Sequence, residues 1–155
     1  DGCSDGTALG MNVGTMLGTA VGEMVGNVVG NVVGLFDGVV VGILLGAIVG
    51  HLVGDYLMQN DWMALGKKKS SLICAVHCAL WTLAVCVCGF IESPLLIAVL
   101  FLTHFAQDRT GIVLRWMKLI GQEKFATGPL SPWSIIVVDN VWHIATIYFL
   151  WRITV

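Results

Sequence analysis

Charge is scarce in this chain. Asp, Glu, Lys and Arg make up 12% of its 155 residues, about half the roughly 25% of an ordinary soluble domain. With 57% hydrophobic residues and a mean hydropathy of +0.87, the composition argues against a free-standing soluble domain and points to an integral membrane protein. A basic excess is also missing. The formal net charge is −2, which argues against nucleic-acid binding through a basic surface. There is no disulfide framework either. Cys74, Cys78, Cys86 and Cys88 share one apolar stretch and read as small buried hydrophobes, with Cys3 standing apart. Neither an initiator Met nor a charged-then-apolar leader precedes Asp1-Gly2-Cys3-Ser4, so the expectation is a processed product or a piece of a longer precursor. Past residue 54, glycine is sparse: Gly66, Gly89, Gly111, Gly121 and Gly128.

The other glycines form one unbroken series at every fourth position. It runs Gly2, Gly6, Gly10, Gly14, Gly18, Gly22, Gly26, Gly30, Gly34, Gly38, Gly42, Gly46, Gly50 and Gly54. On a helix, residues four apart lie on one face. The series therefore makes a groove of bare backbone, the small-xxx-small pattern that lets helices approach closely. Each glycine costs a lone helix roughly 1 kcal/mol, so tight packing against other helices is the expected compensation. The series is not a phosphate loop, because it lacks the Lys-Ser/Thr ending and the strand-to-helix setting.

A single helix of roughly 75–80 Å is expected over this segment, in preference to a hairpin broken at Phe36-Asp37-Gly38. A Gly-rich strand is the weaker alternative, because such strands register loosely. The four-residue period exceeds 3.6, which favours right-handed winding, as in one stave of a homo-oligomeric tube or channel. Beside the glycines run Thr19, Glu23, Asn27 and Asn31, which would line a lumen or bond between helices. The column turns apolar after Gly34. Residues 1–37 are thus expected to form an extramembrane or partly inserted Gly-repeat helix, and 38–155 a transmembrane helical domain. The fold class is all-α, with about four spans in total.

Residues 55–69 read as a polar, interfacial connection with Lys67, Lys68 and Lys69. Further spans are expected over 70–91, over 95–107 with an amphipathic tail to Gly121, and over 133–151, with a loop over 122–130. Glu92-Ser93-Pro94 turns the chain, and Pro132 opens the last helix. The basic residues collect after the first and third spans, as Lys67–Lys69 and as Arg109, Arg115, Lys118 and Lys124. The positive-inside rule puts both connections in the cytoplasm and the N-terminus on the other side. A bacterial inner membrane is the expected location.

The four histidines fall on four different expected spans: His51, His77, His104 and His143. Three have an aspartate one turn away, namely Asp55, Asp108 and Asp139. The order reverses in the last pair, and so does that helix's direction, so topology stacks a tier of four imidazoles above a tier of three carboxylates near the cytoplasmic rim. Ionisable groups within spans mark function by default. Imidazole with carboxylate suits Zn, Mn or Fe, and these residues would hold one ion or two. A structural lock of hydrogen bonds, a proton relay and haem ligation remain open alternatives. Cys74 is a further soft ligand candidate, although core filler suits it better.

From about residue 48 onward the chain resembles a bacterial family of small multi-span membrane proteins, domain of unknown function 3307. The residues that carry this are His51-Leu52-Val53-Gly54-Asp55, Gln59, Asp61-Trp62-Met63 and the lysines after them. His77, Thr103-His104-Phe105-Ala106-Gln107-Asp108 and Asp139-Asn140-Val141-Trp142-His143 complete the pattern. The resemblance implies a helical membrane domain in which these His and Asp residues go together, and no established activity. The family usually shows Gln where this chain has Asn140.

Three functions follow as expectations. The first is a homo-oligomer, its partners itself and the bilayer, assembled through the glycine helices. The second is a membrane-embedded metal-dependent hydrolase using the His/Asp site. The third is a processed virion protein that forms a genome-delivery channel. Whether the chain is an enzyme at all is left open by the sequence.

Overall fold

The structure, a computed structural model, describes residues 2–154; Cys3's side chain lies outside the described set, as do those of residues 2, 4 and 6. All regular structure among the described residues is helical. Helix α1 is continuous over Gly2–Leu52, as expected of the single-helix reading, and no break falls at Phe36-Asp37-Gly38. It passes without interruption into a π-helical turn, Val53–Leu57. There follow α2 (Asp61–Gly66), α3 (Ser71–Cys88), α4 (Pro94–Thr110), α5 (Ile112–Leu119), α6 (Glu123–Thr127) and α7 (Trp133–Thr154). Three helical segments are long and apolar enough to cross a membrane: Thr7–Leu57, Ser71–Cys88 and Trp133–Thr154.

The chain divides into two units, Asp1–Val41 and Gly42–Val155. In the first, side chains from Thr7 through Val39 are exposed, among them Thr19, Glu23, Asn27 and Asn31. A Cβ added at any glycine from Gly10 through Gly38 would meet nothing within 4 Å.

The second unit is a helical bundle. Its core takes Ala47 from α1, Trp81 and Val85 from α3, Leu96 and Leu100 from α4, and Ile147 from α7. Here the glycine series acts as a contact face, except at Gly42, whose surroundings are open. A Cβ at Gly46 would run into the Cys88 carbonyl, one at Gly50 would lie 2.6 Å from the Ala84 oxygen and Val85 Cα, and one at Gly54 would strike Trp81. Bare backbone on α1 thus seats the backbone of α3. The outer faces stay apolar, with Leu83, Val87, Leu102, Val141 and Phe149 exposed. The buried polar side chains are mostly the histidines and their neighbours. This inside-out distribution is consistent with lipid around the bundle.

Side chains cap the starts of α2, α3 and α4. Asn60 Oδ1 accepts from the Met63 N–H at 3.0 Å, and Ser93 Oγ from the Leu96 N–H at 3.4 Å. Three local differences from the sequence reading have local causes. Helix α4 stops at Thr110 rather than running on to Gly121, because Gly111 adopts the left-handed conformation at φ +65°. The amphipathic tail is therefore a separate helix, α5, which buries Val113 and Met117. At 17 residues, α4 spans about 25 Å at 1.5 Å per residue and is shorter than the three candidate spans. The expected loop over 122–130 contains the short helix α6.

Candidate metal centre

Each histidine occupies its own helix of the second unit: His51 on α1, His77 on α3, His104 on α4 and His143 on α7. All four are buried to within 1% of full exclusion. The π-helical turn after His51 carries Asp55 inward. Such turns insert an extra residue into the helical repeat and recur at functional sites. Asp108 is equally buried, one turn along α4 from His104.

Two imidazole nitrogens lie between two carboxylates. His77 Nε2 lies 3.1 Å from His104 Nε2, 3.0 Å from Asp108 Oδ2 and 3.2 Å from Asp55 Oδ1. His104 Nε2 lies 3.3 Å from Asp108 Oδ2 and 3.7 Å from Asp55 Oδ1. A tetrahedron of ligands with 2.0–2.1 Å metal bonds has edges of about 3.3–3.4 Å. The observed separations bracket that value. Asp55 Oδ1, Asp108 Oδ2 and His104 Nδ1 are buried without a well-directed hydrogen bond. Orphaned buried polar atoms are costly, and a cation between the carboxylates would relieve Asp55 Oδ1; Asp108 Oδ2 has the Lys67 ammonium.

Lys67 already places positive charge there. Its Nζ lies 2.9 Å from Asp108 Oδ2. Burial works against the ammonium, but Asp108 and then Asp55 outweigh it, and the Lys67 pKa is held above the ordinary lysine value. Arg109 fixes the segment: it donates to the Lys68 carbonyl at 2.8 Å and to Ser71 Oγ at 3.2 Å. Beside the donor set is a cavity of about 290 Å³ that opens on Asp55 and Asp108, with Lys67, Lys68, Asp139 and Asn140 in its walls.

His51 plays a different part from the other three. The Trp81 indole N–H donates to its Nδ1 at 2.9 Å, so that lone pair is taken. Its Nε2 then carries the proton and donates to Asn140 Oδ1 at 3.0 Å. Asp55 Oδ2, 3.4 Å from Nδ1, is a neighbour of a neutral ring rather than an ion-pair partner. Both ring nitrogens of His51 are therefore engaged, and neither lone pair is left free. Trp81 also stacks on His104, with ring centroids 3.9 Å apart and planes 9° from parallel.

Replacing Trp81 with Phe is expected to keep the stack on His104 and orphan the His51 lone pair. The expected cost is about 1–3 kcal/mol of stability, read from thermal unfolding by circular dichroism in mild detergent. An unchanged midpoint would show that the Trp81–His51 bond contributes nothing.

His143 and Asp139 sit at the edge of the cluster. His143 Nδ1 donates to the Asp139 carbonyl at 2.7 Å, and its Nε2 lies 3.9 Å from Asp108 Oδ1. Of the cysteines, Cys78 rather than Cys74 has its sulfur within ligand range of His104 and Asp108. Cys74 Sγ lies 3.9 Å from the Phe105 carbonyl oxygen, which it can donate to. Lys67, Trp81 and Cys78 were not among the site residues expected from the sequence; Trp81, four residues after His77 on α3, had the helical spacing that could have found it.

The fold and the site together define an all-α protein with membrane-length helices around a buried cluster of histidine and aspartate. The chain belongs to the family described as "Protein of unknown function (DUF3307)", whose model matches residues 43–155. That match covers the second unit almost completely and the first unit not at all. No curated protein and no solved structure matches the chain.

Proposed function

We propose that the chain is a membrane-embedded metal-dependent hydrolase with Asp55, His77, His104 and Asp108 as ligands. The observation that carries this is that the Nε2 atoms of His77 and His104 each stand 3.0–3.7 Å from an oxygen of both Asp55 and Asp108, beside a polar cavity. Zinc suits two imidazoles and two carboxylates best. An ion there supplies Lewis acidity and lowers the pKa of water. The chain's own residues supply the rest. Asp55 puts Oδ1 in the donor set and keeps Oδ2 outside it, an oxygen free to take the proton of an attacking water. That proton then passes to the leaving oxygen as the ester bond breaks, so water is added across the bond. Lys67 and Lys68 put positive charge at the cavity wall and favour an anionic substrate. With its lysine-bearing connections toward the cytoplasm of a bacterial inner membrane, the chain would meet that substrate at the membrane surface.

The test is metal analysis of the chain purified in mild detergent, followed by assay with p-nitrophenyl phosphate and p-nitrophenyl butyrate. The expected result is stoichiometric zinc and turnover that chelation abolishes and zinc restores. Metal binding with neither substrate turned over would remove the hydrolase and leave the metal site; absence of binding would remove both.

A second reading concerns the first unit, and the Gly46–Gly54 contact favours it. Where the glycine series has a neighbour, that neighbour is α3, its backbone at Gly46 and Gly50 and Trp81 at Gly54. We infer that Gly10, Gly14, Gly18, Gly22, Gly26, Gly30, Gly34 and Gly38 seat α1 of further copies of this chain, with Glu23, Asn27 and Asn31 bonding between helices or lining a lumen. Native mass spectrometry is expected to show an oligomer that Gly30→Leu disrupts. A wild-type monomer in mild detergent would refute it.

A further inference from the structure

We propose that a second metal ion binds next to the first, held by His143, Asp139 and the far oxygen of Asp108. This inference rests on the metal-centre reading above and extends it from one ion to a bridged pair. Three observations carry it.

The first is the state of His143. Its Nδ1–H is spent on the Asp139 carbonyl at 2.7 Å, so Nε2 is the unprotonated nitrogen. That atom is buried and has no hydrogen-bond partner. A ring held by a backbone carbonyl at one nitrogen, with the other lone pair free, is the usual preparation of a metal-ligating histidine. The donor that a mere structural lock would offer to Nε2 is missing among the described residues.

The second is the orientation of Asp108. Its Oδ2 belongs to the first donor set, 3.0 Å from His77 and 3.3 Å from His104. Its Oδ1 faces the other way, 3.9 Å from His143 Nε2. One carboxylate thus offers an oxygen to each of two points. This is the arrangement of a bridging ligand in two-metal sites, where the ions stand about 3.5–4 Å apart.

The third is completeness. Asp108, Asp139 and His143 form a group whose ligand atoms lie within 4.8 Å of one another. The second set has three protein ligands, and three leave a position open; the first, with four, would admit water or substrate only by expanding to five. Asp139 lines the cavity of about 290 Å³, so the open position faces that space. Lys67 and Lys68 line the same cavity. The ligand they suit is an anionic oxygen, from a phosphate or a carboxylate.

The two ions should differ in how firmly they are held. The first lies among four deeply placed donors. The second has three, one of them on the partly exposed Asp139, and should leave first.

The experiment measures zinc per chain by mass spectrometry of the element, after chelation, reloading with zinc alone and desalting in mild detergent. Wild type is expected to hold two ions, with one lost at lower chelator concentration. Both Asp139→Asn and His143→Ala are expected to hold one; the retained ion and an unchanged circular dichroism spectrum report the fold. A Mn²⁺-loaded wild-type sample, which needs no variant, should show the spectrum of a spin-coupled pair by electron paramagnetic resonance. One zinc in wild type and in both variants, with only uncoupled Mn²⁺, overturns the second site and leaves the first reading standing. Two ions that persist in both variants overturn the ligand assignment. A chain that takes up no metal overturns the first reading and this one together.

Discussion

His104→Ala is expected to lower zinc affinity by more than about 100-fold, since loss of an outer partner alone costs roughly 10–100-fold. His104 is the residue to remove because its Nε2 meets His77, Asp108 and Asp55 at 3.1, 3.3 and 3.7 Å. It is also the ring on which Trp81 stacks. Competition with a chromogenic chelator gives the affinity, and circular dichroism reports the fold. His51→Ala should behave differently. Both nitrogens of His51 are engaged, by Trp81 and Asn140, so its loss should weaken zinc only by the roughly 10–100-fold of an outer partner. Equal losses for His51→Ala and His104→Ala would mean that the division between ligand and support is wrong.

Gly50→Ala is expected to destabilise the second unit by about 3 kcal/mol, the upper part of the range for overpacking a filled core. The added carbon would sit 2.6 Å from the Ala84 oxygen and 2.6 Å from Val85 Cα. Both are backbone atoms of α3, so no side-chain rotation relieves the clash. Gly30→Ala is the internal control. A carbon there meets nothing within 4 Å of the chain, so in a monomer it should stabilise α1 by about 1 kcal/mol through helix propensity. In an assembly built on the glycine groove the same change should instead weaken association. Unfolding and native mass spectrometry on the two variants separate these effects. A Gly50→Ala protein as stable as wild type would remove the close packing of α1 on α3.

Much of the architecture was legible beforehand. Hydropathy located the helices to within a few residues: 70–91 was expected where Ser71–Cys88 forms, and 133–151 where Trp133–Thr154 forms. The unbroken four-residue register indicated one continuous helix up to Leu52, and that helix is present. The end of α4 was missed. Nothing in hydropathy distinguishes a glycine inside a helix from one that adopts positive φ, as Gly111 does.

The site was legible in part. Spacing identified three His/Asp pairs because i,i+4 neighbours share a helix face, and all three pairs lie within 4 Å. Spacing alone treated His51 as equal to the others.

Local sequence determined which ionisable residues lie within the helices: periodicity sets a helix face, and an apolar span leaves few places for an ionisable group. Tertiary structure decided their roles. A ring nitrogen becomes a ligand or a support according to which donor or acceptor reaches it, and those partners come from distant parts of the chain. Trp81 reaches His51 from 30 residues away and Asn140 from 89; Lys67 reaches Asp108 from the turn after α2. Such contacts depend on how helices cross, which no single segment encodes.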